Sequence, residues 1–245
     1  MRKTPRVKNI LFSLILTLSA CSSLEKDNST PEKAFAYAEE FDKNERYEEA
    51  IRLYNEVKNK FPYSHVATKS ELAIADVYFK QESFAEAQVS YQLFRELHPK
   101  HAQIDYVIFQ TGNSFYQQLP DSIDRDLSQA QDAIKSYDEL IKLYPESKHV
   151  AEAKKNRAKT YQMLSEKEIY VADFYFKRGQ YDSAFSRYEF VFKKYPDTPL
   201  FNKAVAKAAL SAFRQGQVEQ AKKLLKAVSD IQNDSDINAA LKEIR

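Results

Sequence analysis

Cys21 is the only cysteine in the 245-residue chain, so its thiol has no disulfide partner. The four histidines are His65, His98, His101 and His149, and they fall near Pro62, Pro99 and Pro145. His98 and His101, three residues apart, could hold a metal weakly. Their place beside a proline fits a helix-end or loop role better. The sequence contains no His-Glu-x-x-His or Cys-x-x-Cys pattern. Only three glycines are present, too few and too scattered for a phosphate-cradling loop. No residue is marked as a nucleophile by its surroundings. Apart from the lone thiol, the pattern favours binding over catalysis, with no cofactor and no metal.

The elements that position these residues are written by repetition. Ala, then Tyr four residues on, then Pro eight residues later recurs as Ala50/Tyr54/Pro62, Ala87/Tyr91/Pro99, Ala133/Tyr137/Pro145 and Ala184/Tyr188/Pro196. Residues four apart share a helix face, and proline stops a helix or falls just past it. Twelve residues before the alanines stand Ala38, Ala75 and Ala172, and Ala209 stands in the same relation to Ala221. Each unit is thus a first helix packing a small residue against the small residue of a second. Short turns join them at Lys43-Asn44-Glu45, Lys80-Gln81-Glu82, Arg178-Gly179-Gln180 and Gln215-Gly216-Gln217, where a positive φ asks for Gly or Asn. The pattern resembles the tetratricopeptide repeat, a helix–turn–helix unit of ~34 residues. The resemblance implies an all-α, right-handed solenoid of about five helix pairs. The third pair has Gly112 and Phe115 in its first helix and is stretched by Leu119 to Asp126. From Ser147 to Phe176 there is no Pro or Gly, which predicts one long helix or two nearly end to end. The fifth unit is degenerate, with Asn233 where proline would stand, and a short polar tail follows Val228.

The ends are different in kind. Arg2, Lys3, Arg6 and Lys8 precede an apolar run from Ile10 to Leu18, too short to span a bilayer, which needs ~20 apolar residues. This reads as a signal segment over 1–20. It ends Leu18-Ser19-Ala20-Cys21, which resembles the bacterial lipobox, whose cysteine is acylated and becomes the mature N-terminus. Several acyl chains anchor stably. If the usual lipoprotein sorting rule holds, Ser22 favours the outer membrane. Residues 21–30 read as a tether, with Thr30-Pro31 as N-cap and first helical residue of a repeat region over 31–245. The 37 Lys and Arg stand against 35 Asp and Glu. Removing the four basic signal residues turns a small positive balance slightly negative, and no basic run remains for nucleic acid.

More specific strings lie in the irregular parts. They are His98-Pro99-Lys100-His101 through Ile104-Asp105-Tyr106-Val107, Asp124-Arg125-Asp126, and Leu164-Ser165-Glu166-Lys167-Glu168-Ile169-Tyr170-Val171-Ala172 onward to Arg178-Gly179, Arg187 and Tyr195-Pro196-Asp197-Thr198. Together these resemble the BamD family of outer-membrane barrel-assembly lipoproteins. The resemblance implies a scaffold on the periplasmic face of the outer membrane. It implies BamA and other lipoproteins of the complex as partners, BamA through the C-terminal repeats, and unfolded outer-membrane proteins through the N-terminal repeats. Arg187 matches a family arginine that faces BamA, where a guanidinium can fork onto a carboxylate; by position alone it also fits a solvated helix face.

Repeat geometry suggests where a client would lie. In such solenoids the first helices line the concave side, through positions two, five, nine and twelve of each unit. These are Lys69, Leu72, Asp76 and Phe79 in the second unit and Tyr106, Phe109, Asn113 and Tyr116 in the third, with Phe35 from the first. An extended, aromatic-rich peptide would find apolar pockets and amide partners there. Phe79 and Phe109 fit a core between units as well; Tyr106 and Tyr116 carry hydroxyls that want a wet end. Two other functions share the generic features: a repeat lipoprotein serving cell-wall or division proteins, and an enzyme or activator acting on peptidoglycan.

Overall fold

The computed structural model describes residues 28–228 and 234–244. The signal segment, Cys21 and residues 21–27 of the tether lie outside them. The described residues form eleven helices and no strand: α1 (Pro31–Lys43), α2 (Tyr47–Lys60), α3 (His65–Lys80), α4 (Phe84–Leu97), α5 (Ile104–Gln117), α6 (Gln129–Leu143), α7 (Val150–Lys177), α8 (Tyr181–Lys194), α9 (Phe201–Arg214), α10 (Val218–Lys226) and α11 (Ser235–Ile244). The first ten make the five expected pairs.

Local chemistry sets the boundaries. Thr30 Oγ1 accepts from the Lys33 amide at 3.3 Å and Pro31 opens α1, as an N-cap and first-turn proline should. The first helix of four pairs ends in the same closure. The amides of Arg46, Ser83, Gln180 and Gln217 donate to the carbonyls five residues back, Phe41, Tyr78, Tyr175 and Ala212, at 2.9 to 3.0 Å. The residue before each donor has positive φ: Glu45 (58°), Glu82 (63°), Gly179 (74°) and Gly216 (81°). The expected Gly or Asn is therefore present in only two of the four turns. Asn44 sits one place early, and glutamate takes the left-handed position in the first two pairs.

The second helices end alike. Phe61, His98, Tyr144 and Tyr195 each precede a proline and leave the helical region, with φ from −126° to −132°. Their carbonyls accept from the amides of Ser64, His101, Ser147 and Thr198 at 3.0 to 3.2 Å, turns with proline in the second position.

The chain divides into two compact units, with the division after Ser70, inside α3. In the first, α1 packs on α2, and Ala34, Val57 and Val66 form a small core flanked by Phe35 and Phe61. In the second, α4 to α10 pack in chain order, each on the next. Ala50, Ala87, Ala133, Ala184 and Ala221 are all 0 % exposed, as a small residue at a helix–helix contact should be. Gly112 shows what the small position of a first helix faces. A Cβ there would lie 2.8 Å from Tyr137 Cε1 and 3.2 Å from Ser136 Cβ. Its nearest neighbour is the repeat tyrosine rather than the repeat alanine.

Two departures from regularity matter. α7 is a single helix of 28 residues. Its first half pairs Arg157 with Asp138 of α6, and its second half pairs Glu168 with Arg187 of α8. The polar tail contains α11, which buries Ile237, Ala240 and Ile244 in a core shared with α9 and α10. Asp234 caps it by accepting from the amides of Asp236 and Ile237 at 3.0 and 3.1 Å. The apolar spacing of Ile237, Ala240, Leu241 and Ile244 carries this helix in the sequence, hidden by its polar neighbours.

Candidate functional site

The first helices of the second and third pairs carry most of the expected groove residues, and the structure binds them into a polar network. Asp76 of α3 accepts from the Tyr91 hydroxyl of α4 at 2.6 Å and the Tyr106 hydroxyl of α5 at 2.7 Å. Gln110 Nε2 lies 3.5 Å from the Tyr91 hydroxyl and 3.4 Å from that of Tyr106. Gln110 Oε1 accepts from Asn113 Nδ2 at 2.8 Å, and Asn113 Oδ1 accepts from the Tyr137 hydroxyl of α6 at 2.8 Å and from Asn156 of α7 at 3.2 Å. The chain of bonds crosses five helices and ends on one carboxylate. Burial first, and then the Asp76 charge, push the Tyr91 and Tyr106 hydroxyls well above the ordinary phenol pKa.

The repeat tyrosine thus reaches back to position nine of its own unit. The same bond joins Tyr188 to Asp173. The fixed fifteen-residue spacing of Asp76/Tyr91 and Asp173/Tyr188 is the sequence signal for it.

The other groove positions divide by burial. Leu72 and Phe109 belong to the core of the second unit, and Phe109 stacks on His149 at 4.7 Å. Phe79, Tyr106 and Tyr116 pack partly buried against that core, with Phe79 edge-on to Phe84 at 5.2 Å. Phe35, in the first unit, is half-buried with its ring 5.2 Å from Tyr54, and Lys69 there is exposed.

On α8, the Arg187 side chain is 48 % exposed and its Nη1 lies 2.9 Å from Glu168 Oε2 of α7. The same two helices expose Tyr170, Phe174 and Phe190, with the Arg178 guanidinium 4.4 Å over the Phe174 ring. The stretched loop of the third pair rests on α7, where Lys167 Nζ donates to the Arg125 carbonyl at 2.6 Å.

The histidines beside Pro99 are used locally. His98 Nε2 lies 2.6 Å from Glu71 Oε2, His101 Nδ1 accepts from the Gln103 amide at 3.2 Å, and both imidazoles pack against the Phe94 ring. Among the described residues no cluster of three or more His, Cys, Asp or Glu could hold a metal ion, and no helix is long and apolar enough to cross a membrane.

Antiparallel helix pairs with a buried Ala–Tyr seam, closed by a left-handed turn within the pair and a proline turn after it, define a tetratricopeptide-type repeat scaffold. The comparisons place it more narrowly. The family model for the outer membrane lipoprotein YfiO matches residues 27–228. The chain is 31% identical over 234 residues to the outer membrane protein assembly factor BamD of Neisseria meningitidis serogroup A, covering 88% of both. It is 25% identical over 189 residues to BamD of Vibrio cholerae, covering 72% of this chain and 78% of that one. A tetratricopeptide repeat protein from Parabacteroides merdae superposes with a TM-score of 0.40 at 13% identity, over 87% of this chain and 85% of that one. The chain belongs to the YfiO family of outer membrane lipoproteins.

Proposed function

We propose that this protein is a scaffold for outer-membrane protein assembly. The observation that carries the reading is its likeness to relatives named outer membrane protein assembly factor BamD along nearly their whole length. That likeness favours assembly over a cell-wall or division role. In this reading Cys21 carries the lipid, residues 21–30 form the tether, and the repeats hang from the outer membrane on its periplasmic side. The scaffold works by binding rather than by catalysis.

Two surfaces are assigned. Arg187, with the exposed aromatics of α7 and α8, receives a BamA-like barrel subunit; aromatic and arginine side chains are the usual anchors of such contacts. Its ion pair with Glu168 holds the guanidinium ready for a second carboxylate. Unfolded outer-membrane proteins bind at Phe79, Tyr106 and Tyr116, beside the Asp76–Asn113 network and backed by Leu72 and Phe109. Phe35 and Lys69 offer the same clients contacts on the first unit.

The test is recovery of BamA by immobilised, detergent-solubilised mature protein and by its Arg187→Glu variant. The variant should recover several-fold less BamA. Equal recovery removes the Arg187 assignment, and no BamA with either protein removes the wider reading.

A further inference from the structure

A cavity of about 780 Å³ opens between α7 and the turn that follows α8, and no part of the proposed assembly surfaces uses it. Its walls carry Lys155, Arg157, Lys159, Lys193 and Lys194 against a single acid, Asp197. Arg157 is held by Asp138, and Lys193 by Glu189 at 2.8 Å. Lys155, Lys159 and Lys194 are exposed and have no ion pair among the described residues. Lys194 also sits in the last turn of α8, where a cation complements the carbonyl end of the helix. That does not account for Lys155 and Lys159, one turn apart in the body of α7. The cavity is lined by Tyr161 and Tyr195, whose ring centroids are 5.9 Å apart, beside Pro196.

We propose that this cavity binds an acidic peptide segment carrying an apolar side chain between its carboxylates. Its size is that of a ligand site, ~300–1,000 Å³. The Tyr161–Tyr195–Pro196 wall takes the apolar side chain, and the three uncommitted ammonium groups take the acids around it. A compact phosphate is a poorer match, because the rim supplies almost no backbone donors. Pro196 and Pro199 have none, the Tyr195 amide donates to Val191, and the Thr198 amide donates to Tyr195. The one guanidinium in the lining, Arg157, already holds Asp138 through Nη1, so the open positive charge comes from lysines. Lysines spread around an aromatic wall suit charges distributed along an extended chain.

The test uses detergent-solubilised mature protein and a fluorescein-labelled Glu-Glu-Phe-Glu-Glu pentapeptide, read by fluorescence anisotropy. Binding should weaken at least about tenfold in Lys159→Ala/Lys194→Ala and severalfold in Tyr161→Ala. Replacing the peptide's Phe with Ala should weaken it likewise. Lys222→Ala/Lys223→Ala, on α10, should leave the affinity unchanged. All three variants alter solvent-exposed or half-exposed side chains, and melting curves check that they fold. The proposal is overturned by no binding, by equal affinity in the Lys159/Lys194 variant, or by an equal loss in the Lys222/Lys223 variant. It is also overturned if phosphatidylglycerol vesicles or inorganic phosphate, and not the peptide, depend on Lys159 and Lys194.

Discussion

Asp76 accepts hydrogen bonds from two phenols that burial keeps protonated. A charged acceptor in a half-buried setting is stable only while such donors reach it. Tyr91→Phe should therefore lower stability by ~1 kcal/mol, seen as a lower melting temperature. The pH dependence has a definite sign. Tyr91 and Tyr106 have raised folded-state pKa values, so their contribution is complete below the unfolded phenol value of ~10 and declines as pH rises beyond it. Urea unfolding between pH 8 and pH 11 should show that decline in the wild type and a shallower one in Tyr91→Phe. Gly112 is a second residue-scale constraint. Gly112→Ala drives a Cβ into the Tyr137 ring, at a cost of ~1–3 kcal/mol. A melting temperature equal to the wild type would mean that the third pair opens freely at this contact.

The elements are closed by turns whose chemistry is uneven. Gly179 and Gly216 take positive φ without a Cβ penalty, whereas Glu45 and Glu82 hold the same conformation at a cost. Glu45→Gly and Glu82→Gly should each stabilise by about 0.5–1 kcal/mol, net of the extra chain entropy glycine brings to the unfolded state. Gly179→Ala should destabilise by a similar amount; a Cβ there meets nothing within 4 Å, so the change isolates backbone strain. The repeat pattern located these turns, yet the glutamates were not legible as left-handed residues. Two six-to-one hydrogen bonds and the packing of the flanking helices impose that conformation against local preference. α11 is a related case: its apolar spacing is present in the sequence but diluted by polar neighbours, and the α9–α10 core it covers is what holds it.

In the second unit the helices are coupled by more than apolar contact. The Asp76-to-Asn156 network links α3 through α7, and α7 carries polar partners for α6 and α8 in its two halves. A repeat array has a stability summed over repeats and their interfaces, and α7 serves the third and fourth pairs at once. Leu164→Pro should cost ~3 kcal/mol or more. It should also split the thermal transition of the second unit and remove amide-exchange protection near residue 164. A single transition at the wild-type midpoint would show that α7 does not couple the third and fourth pairs.

The sequence by itself determined the helix pairs and their ends. Ala, Tyr and Pro act through sterics within a few residues, and those effects survive in any context. It also carried the irregular strings on which the family resemblance rests, and the family model matches residues 27–228. Only the tertiary structure decided which polar groups find each other and which groove positions are core. Asp76, Gln110, Asn113 and Asn156 lie on different turns of three helices, and their bonds exist only at the separations those helices adopt when packed. Phe109 shows the same limit: its position fits a groove or a core by spacing alone, and its burial against His149 is a property of the assembled helices.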